Sequence, residues 1–256
     1  SNRNDLIIIQ ENLEISLKNA ITVAKEVVEN QASAKNTINT MSYLTDVEKN
    51  TAIQEIDNKI DEVKPKFDSL MSFVAIRKVK TNFQTEISTI ISDYGKQNTV
   101  RETAEFLKQA KTDAMTAIEN QTTAKSTIDG LTYLSDAEKT TAKNSIDQAV
   151  TSGKAKIDQA SDTTGVTTAQ SEAQEAIDKI VRDNQTLDTT RKVAEEVAAA
   201  LVKAKSEAKV KIENQTTAKA TIDGLTYLND VEKTTAKNSI DQAVTSGKAK
   251  IDQASD

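Results

Sequence analysis

The sequence predicts an all-α protein, a tandem series of antiparallel three-helix bundles forming an elongated rod, and three observations predict it. One Pro and six Gly in 256 residues leave little turn chemistry for a sheet protein, whereas abundant Ala, Lys, Glu, Gln and Ile favour long helices. Apolar residues recur at alternating steps of three and four, the seam of a helix packed in a bundle. Finally, the chain repeats itself.

The repeat is plain on inspection. Ile118–Asp162 recurs 94 positions on as Ile212–Asp256, changed only at Ser126/Ala220, Ser135/Asn229 and Ala137/Val231. A diverged copy starting at Glu29 aligns with Glu119 at a shift of 90. Three copies follow, over 1–95, 96–185 and 186–256, the last stopping after its second helix.

Each copy opens with a helix A. In the second copy its seam is Leu107, Ala110, Ala114, Ala117, Gln121, Ala124, Ile128 and Leu131. Helix A should end at Gly130 and Gly224 in a left-handed cap, with Thr40 at that place in the first copy. A turn carrying Tyr43-Leu44, Tyr133-Leu134 or Tyr227-Leu228 then leads to Thr45, Ser135 or Asn229, each three residues before a Glu. That spacing is the capping box of a helix start.

Helix B turns Ala142, Ile146, Ala149, Gly153, Ile157 and Ala160 inward, and Gly153 and Gly247 would admit close helix approach. Pro65, aligned with Ala155, should kink or end helix B of the first copy. Helix C begins after the break at 162–165 with Val166, Ala169, Ala173, Ile177 and Ile180 inward. Its counterpart carries Ile76, Val79, Phe83, Ile87 and Ile90 and ends near Tyr94-Gly95. The four extra residues in the 94-residue spacing enter between helix C and the next helix A. A lengthened or continuous helix absorbs them, because one turn is about 3.6 residues.

Composition excludes most chemistry. The absence of His and Cys removes imidazole acid–base work, thiol nucleophiles, zinc sites and disulfides. A net charge of −6, with pI near 5.0, argues against nucleic acid. Asp158, Asp162 and Gly165 do not fit an EF-hand loop, and the isolated glycines build no phosphate loop. No enzyme and no cofactor is expected. Asn120-Gln121-Thr122, Asn184-Gln185-Thr186 and Asn214-Gln215-Thr216 are formal glycosylation sequons, frequent by chance in a Thr-rich chain. Mean hydropathy is −0.52, and Leu6–Ile9 is too short an apolar run to span a membrane or serve as a signal peptide. Any secretion signal or wall anchor is expected outside this sequence, and Ser1-Asn2 reads as the scar of a cleaved tag.

The stretch Ala114–Asp162, with its AKxxIDGLTYLSDAEKTTAKNSIDQAVTSGKAKIDQASD run, resembles the DUF1542 repeat. The turns Leu44–Lys49, Leu134–Lys139 and Leu228–Lys233, and pairs such as Ile146-Asp147 and Ile157-Asp158, carry the resemblance most specifically. Relatives of that repeat include the GA and FIVAR modules of staphylococcal matrix-binding proteins. The resemblance implies a stalk or adhesive array, extracellular and anchored in a Gram-positive cell wall, with no catalytic residues; the chain is expected to be a monomer.

Two functions compete on that basis. One is a spacer that holds a distal binding domain away from the wall; the other is a module that binds a host extracellular matrix or serum protein. Two groups of residues bear on binding. Gln31, Gln121 and Gln215 fall on the helix A seam, where ligand contact competes with a buried polar layer that fixes register. A polar layer predicts that Gln121→Leu raises thermal stability or loosens uniqueness. The second group is a candidate interaction patch of Lys64, Lys66, Arg77, Lys78 and Lys80, interleaved with Phe67, Phe73 and Phe83. The competing reading is solvated charge beside a core stripe.

Overall fold

The structure, a computed structural model, describes residues 2–256; Ser1, half of the expected tag scar, lies outside them. The described residues form helices and no strand, as expected of an all-α protein. In chain order they are α1 (Asn2–Glu29), α2 (Ala32–Asn39), α3 (Asp46–Val63), a 3-10 helix (Lys64–Ser69), α4 (Phe73–Glu119), α5 (Thr122–Asp129), α6 (Asp136–Gln159), α7 (Thr163–Glu213), α8 (Thr216–Asp223) and α9 (Asp230–Gln253). They fall into two compact units, one running to Ala114 and taking in Ala160–Val166, the other comprising Met115–Gln159 and Thr167–Asp256.

In the first unit α1, α2, α3, the 3-10 helix and α4 close round one aliphatic core. Val28, Ile38, Ala52, Ile56 and Phe67 are fully enclosed, with Phe83 and Ile87 brought in by α4. Thr45 caps α3 in a complete capping box with Glu48. Pro65 acts as its ring requires: α3 stops at Val63 and the chain tightens into the 3-10 helix, which delivers Phe67 to the core.

In the second unit Ile128, Ala142, Ile146 and Ile177 form a core flanked by Ala124, Leu131, Ala149, Val150, Ile180 and Val181. Ser135 and Glu138 exchange the capping-box bonds at the start of α6. Gly153 is buried where α6 and α7 meet: a Cβ there would lie 2.5 Å from Ala173 Cβ and 3.0 Å from Ile118 Cδ1. The expected close approach is therefore present, and it needs the missing side chain. Toward the C-terminus α8 and α9 pair, with Asn229 and Glu232 forming a third capping box, but neither helix contains a buried residue.

The same ion pairs recur. Lys35–Asp57, Lys125–Asp147 and Lys219–Asp241 (2.5, 2.6 and 2.5 Å) tie the short helix of each copy to the next. Lys64–Glu29, Lys154–Glu119 and Lys248–Glu213 (2.8, 2.6 and 2.6 Å) tie its far end to the preceding helix.

Four expectations are corrected. Helix A is not one helix: it breaks at Asn30-Gln31, Asn120-Gln121 and Asn214-Gln215. Gly130 and Gly224 do end their helices, yet in right-handed conformation, with φ of −75° and −76°, beside −78° at Thr40. Since Thr40 adopts the same shape, this cap never needed a left-handed residue. The helix expected to end near Tyr94-Gly95 instead runs unbroken to Glu119: Gly95 costs it about 1 kcal/mol of propensity, and 96–106 follows with helix-compatible residues and no proline. At the start of α7, Thr163–Gly165 form its first turn, with Asp162 Oδ1 accepting from the Gly165 amide at 2.7 Å.

Candidate interaction site

The break in helix A is built from two adjacent side chains. At Gln121 the backbone leaves the helical region (φ −109°, ψ 29°), freeing a carbonyl behind and an amide ahead. Gln121 Nε2 donates to the Ile118 carbonyl at 2.9 Å, while Asn120 Oδ1 accepts from the Thr122 amide at 3.1 Å and hydroxyl at 2.7 Å. The third copy repeats this with Gln215 on the Ile212 carbonyl and Asn214 on Thr216. In the first copy Gln31 donates to the Val27 carbonyl at 3.2 Å. The glutamines thus serve as helix-end caps. A polar layer spanning the bundle is not their arrangement, although Gln121, the one buried polar residue among those described, also donates to Gln174 Oε1 at 3.4 Å.

The breaks at Gln31 and Gln121 each open a shallow groove toward the long helix of the same unit. In the first unit it encloses about 440 Å³ between Gln31, Ala34, Thr37, Gln84 and Ile91. In the second it encloses about 410 Å³ between Gln121, Ala124, Thr127, Gln174, Asp178 and Arg182. The linings are amides, hydroxyls and aliphatic carbon, joined in the second groove by the Asp178 carboxylate and the Arg182 guanidinium. They can accept hydrogen-bonding surface.

A second cluster was not foreseen. Arg101 on α4 reaches the turn before α3, where Nη1 and Nη2 each donate to Glu48 at 2.5 Å and Nη1 donates to the Tyr43 carbonyl at 3.3 Å. Asn98 Oδ1 accepts from the Tyr43 amide at 2.8 Å. The second unit repeats the set: Arg191 on Glu138 at 2.7 and 2.6 Å and on the Tyr133 carbonyl at 3.1 Å, with Asp188 accepting from the Tyr133 amide at 2.6 Å. The bidentate fork and the capping box together hold both glutamates well down, to a pKa of about 2, the Arg being the larger cause. Both arginines are raised in turn. In the third copy Glu232 accepts from the Asn229 amide at 2.9 Å, and Tyr227 is fully exposed. Partners 53 residues apart escape local pattern reading, but the equal spacing of Glu48 to Arg101 and Glu138 to Arg191 was a usable signal.

Lys64 pairs with Glu29 and Lys66 with Glu62, while Arg77 and Lys78 are exposed on α4 and Lys80 is half-buried. Lys59 and Lys66 hold Glu62 at a pKa of about 2. Phe67 and Phe83 are core residues and only Phe73 is exposed.

Two family models match parts of the chain's sequence. The GA module matches residues 17–62 and 212–254, and DUF1542, a domain of unknown function, matches residues 110–185. The first GA match covers the second half of α1 with α2 and α3; the DUF1542 match runs from the end of α4 into α7. GA modules bind serum albumin and DUF1542 occurs in surface proteins; both are non-enzymatic families. No curated protein and no solved structure matches the chain.

Proposed function

We propose that this chain, in which GA-module and DUF1542 repeats alternate, is a non-catalytic stalk segment of a Gram-positive surface protein, holding a distal binding domain away from the cell wall to which the protein is anchored. The supporting observation is the continuity of α4 and α7. At about 1.5 Å per residue, their 47 and 51 residues make helices about 70 and 76 Å long. Each carries helix C of one sequence repeat into helix A of the next with no loop between. On this reading the three repeats, 1–95, 96–185 and 186–256, lie in series as an elongated monomer. Small-angle scattering tests it: a radius of gyration well above the roughly 18 Å of a compact chain of this length is expected. A compact value would end the stalk reading.

The GA matches favour a second reading, in which helical surfaces bind a host serum protein, albumin first. Surface plasmon resonance of the chain over immobilised serum albumin separates the two. Saturable submicromolar binding makes the segment an adhesive module; a flat response leaves the spacer.

A further inference from the structure

We infer that the corner where the 3-10 helix of the first unit hands over to α4 is a docking surface for a protein segment that presents apolar side chains beside carboxylates. Met71, Phe73 and Val74 are 88, 41 and 71% exposed there, and Arg77 and Lys78 are exposed one turn further along α4. Phe73 with Arg77, and Val74 with Lys78, stand four residues apart, so each apolar side chain has a cation beside it on the outward side of the helix. Ile76, Phe83 and Ile87 meanwhile turn to the core.

The fold does not ask for these outward residues. At a shift of 90 the second repeat carries Ser161, Thr163, Thr164, Thr167 and Thr168 at the same places, and each is exposed there too, although a complete repeat precedes it in the chain. What the fold does need is kept. Ser72 Oγ accepts from the Ala75 amide at 3.1 Å as Asp162 Oδ1 accepts from that of Gly165 at 2.7 Å, and Ile76 and Val166 are both buried. The outward positions alone change in kind, from hydroxyls to apolar and cationic groups.

Charge complementarity selects the occupant. The lysines round this corner are neutralised within the unit, Lys25 by Asp68, Lys64 by Glu29 and Lys66 by Glu62. Arg77 and Lys78 have no ion pair among the described residues, and in a chain of net charge −6 they leave a local positive site. A lipid surface fits less well, since two cations attract anionic headgroups only weakly. Phe, Met and Arg are the side chains enriched in protein interfaces, and a patch this small supports a weak, transient complex. It lies outside the segments that carry the albumin reading, so either can fail without the other.

The test is fluorescence anisotropy of the full chain with a labelled, end-blocked peptide of leucine and glutamate at helical spacing. Its glutamine-for-glutamate counterpart and phosphatidylglycerol vesicles are measured alongside. Saturation in the micromolar range is expected. Exchanging the five residues for those of the second repeat (M71S, F73T, V74T, R77T, K78T) should weaken binding by about tenfold or more while the thermal melt is retained, because the same fold already carries them. R77T with K78T alone should flatten the salt dependence. Absence of saturation up to about 1 mM, equal binding by the five-residue variant or by the glutamine peptide, or tighter uptake by the vesicles would overturn the assignment.

Discussion

Gly153 and Gly247 occupy the same position in near-identical helices, so replacing each by alanine isolates the effect of the neighbouring helix. Alanine strengthens a helix interior by about 1 kcal/mol relative to glycine. At Gly247 the new Cβ meets only Ile212 Cδ1 at 3.0 Å, the flexible end of a side chain that can turn aside. Most of the gain should survive. At Gly153 it would sit 2.5 Å from Ala173 Cβ, which has no rotamer to change, against an ordinary contact of 3.4–4 Å. Helices α6 and α7 would have to part by about 1 Å, an overpacking that costs about 1–3 kcal/mol. Net of propensity, Gly153→Ala should destabilise by about 0–2 kcal/mol while Gly247→Ala stabilises by up to about 1 kcal/mol. Urea unfolding followed at 222 nm, with hydrogen exchange to place the change on α6 or α9, reads the difference. Equal stabilisation by both substitutions would refute the close-approach argument.

Other perturbations probe the remaining features. Gln121→Leu strips the donor from the Ile118 carbonyl and should cost about 1–2 kcal/mol, opposite in sign to the gain expected of a polar layer; a raised melting temperature would contradict the capping role. Gly130→Ala should be neutral or stabilise by about 0.4–1 kcal/mol, because φ is −75° and the added Cβ finds its nearest neighbour at 3.5 Å; a marked loss in thermal melts would show that the cap needs glycine. Glu48 and Glu138 have folded pKa values of about 2, below the ordinary 4.5, so the native state resists their protonation. Their contribution is complete above pH 4.5 and disappears as pH falls toward 2. Replacing Arg101 and Arg191 by Gln should flatten that acid limb in urea titrations at pH 7 and pH 3, and an unchanged slope would dissociate the arginines from the shift.

Much of the fold was legible because it rests on local or periodic signals. Spacing alone places Ile76, Phe83 and Ile87, or Ala169, Ala173 and Ile177, inward, and Thr45 with Glu48 declares a helix start. Pro65 declares an end. The break at Gln121 was obscured by its own seam: a cap that folds back on the preceding turn keeps its place in the three-four rhythm, so periodicity reads straight through it. Asn120 before two threonines was the local sign, an N-cap oxygen ahead of a helix start. The Arg101 and Arg191 forks depend on where a distant helix passes, which no window of sequence contains.

Gly153 and Ala173 have aligned counterparts in Val63 and Phe83, both buried in the core of the first unit. A large pair and a small pair are alternative solutions to one contact, and neither half works with the other's partner. Shuffling whole repeats by recombination preserves the match; a crossover between the second and third helix of a repeat breaks it. Valine delivered opposite Ala173 would collide, and phenylalanine opposite Gly153 would meet a backbone seated too near. Arrays of this kind can therefore lengthen or shorten only in steps that keep those two helices as a single heritable block.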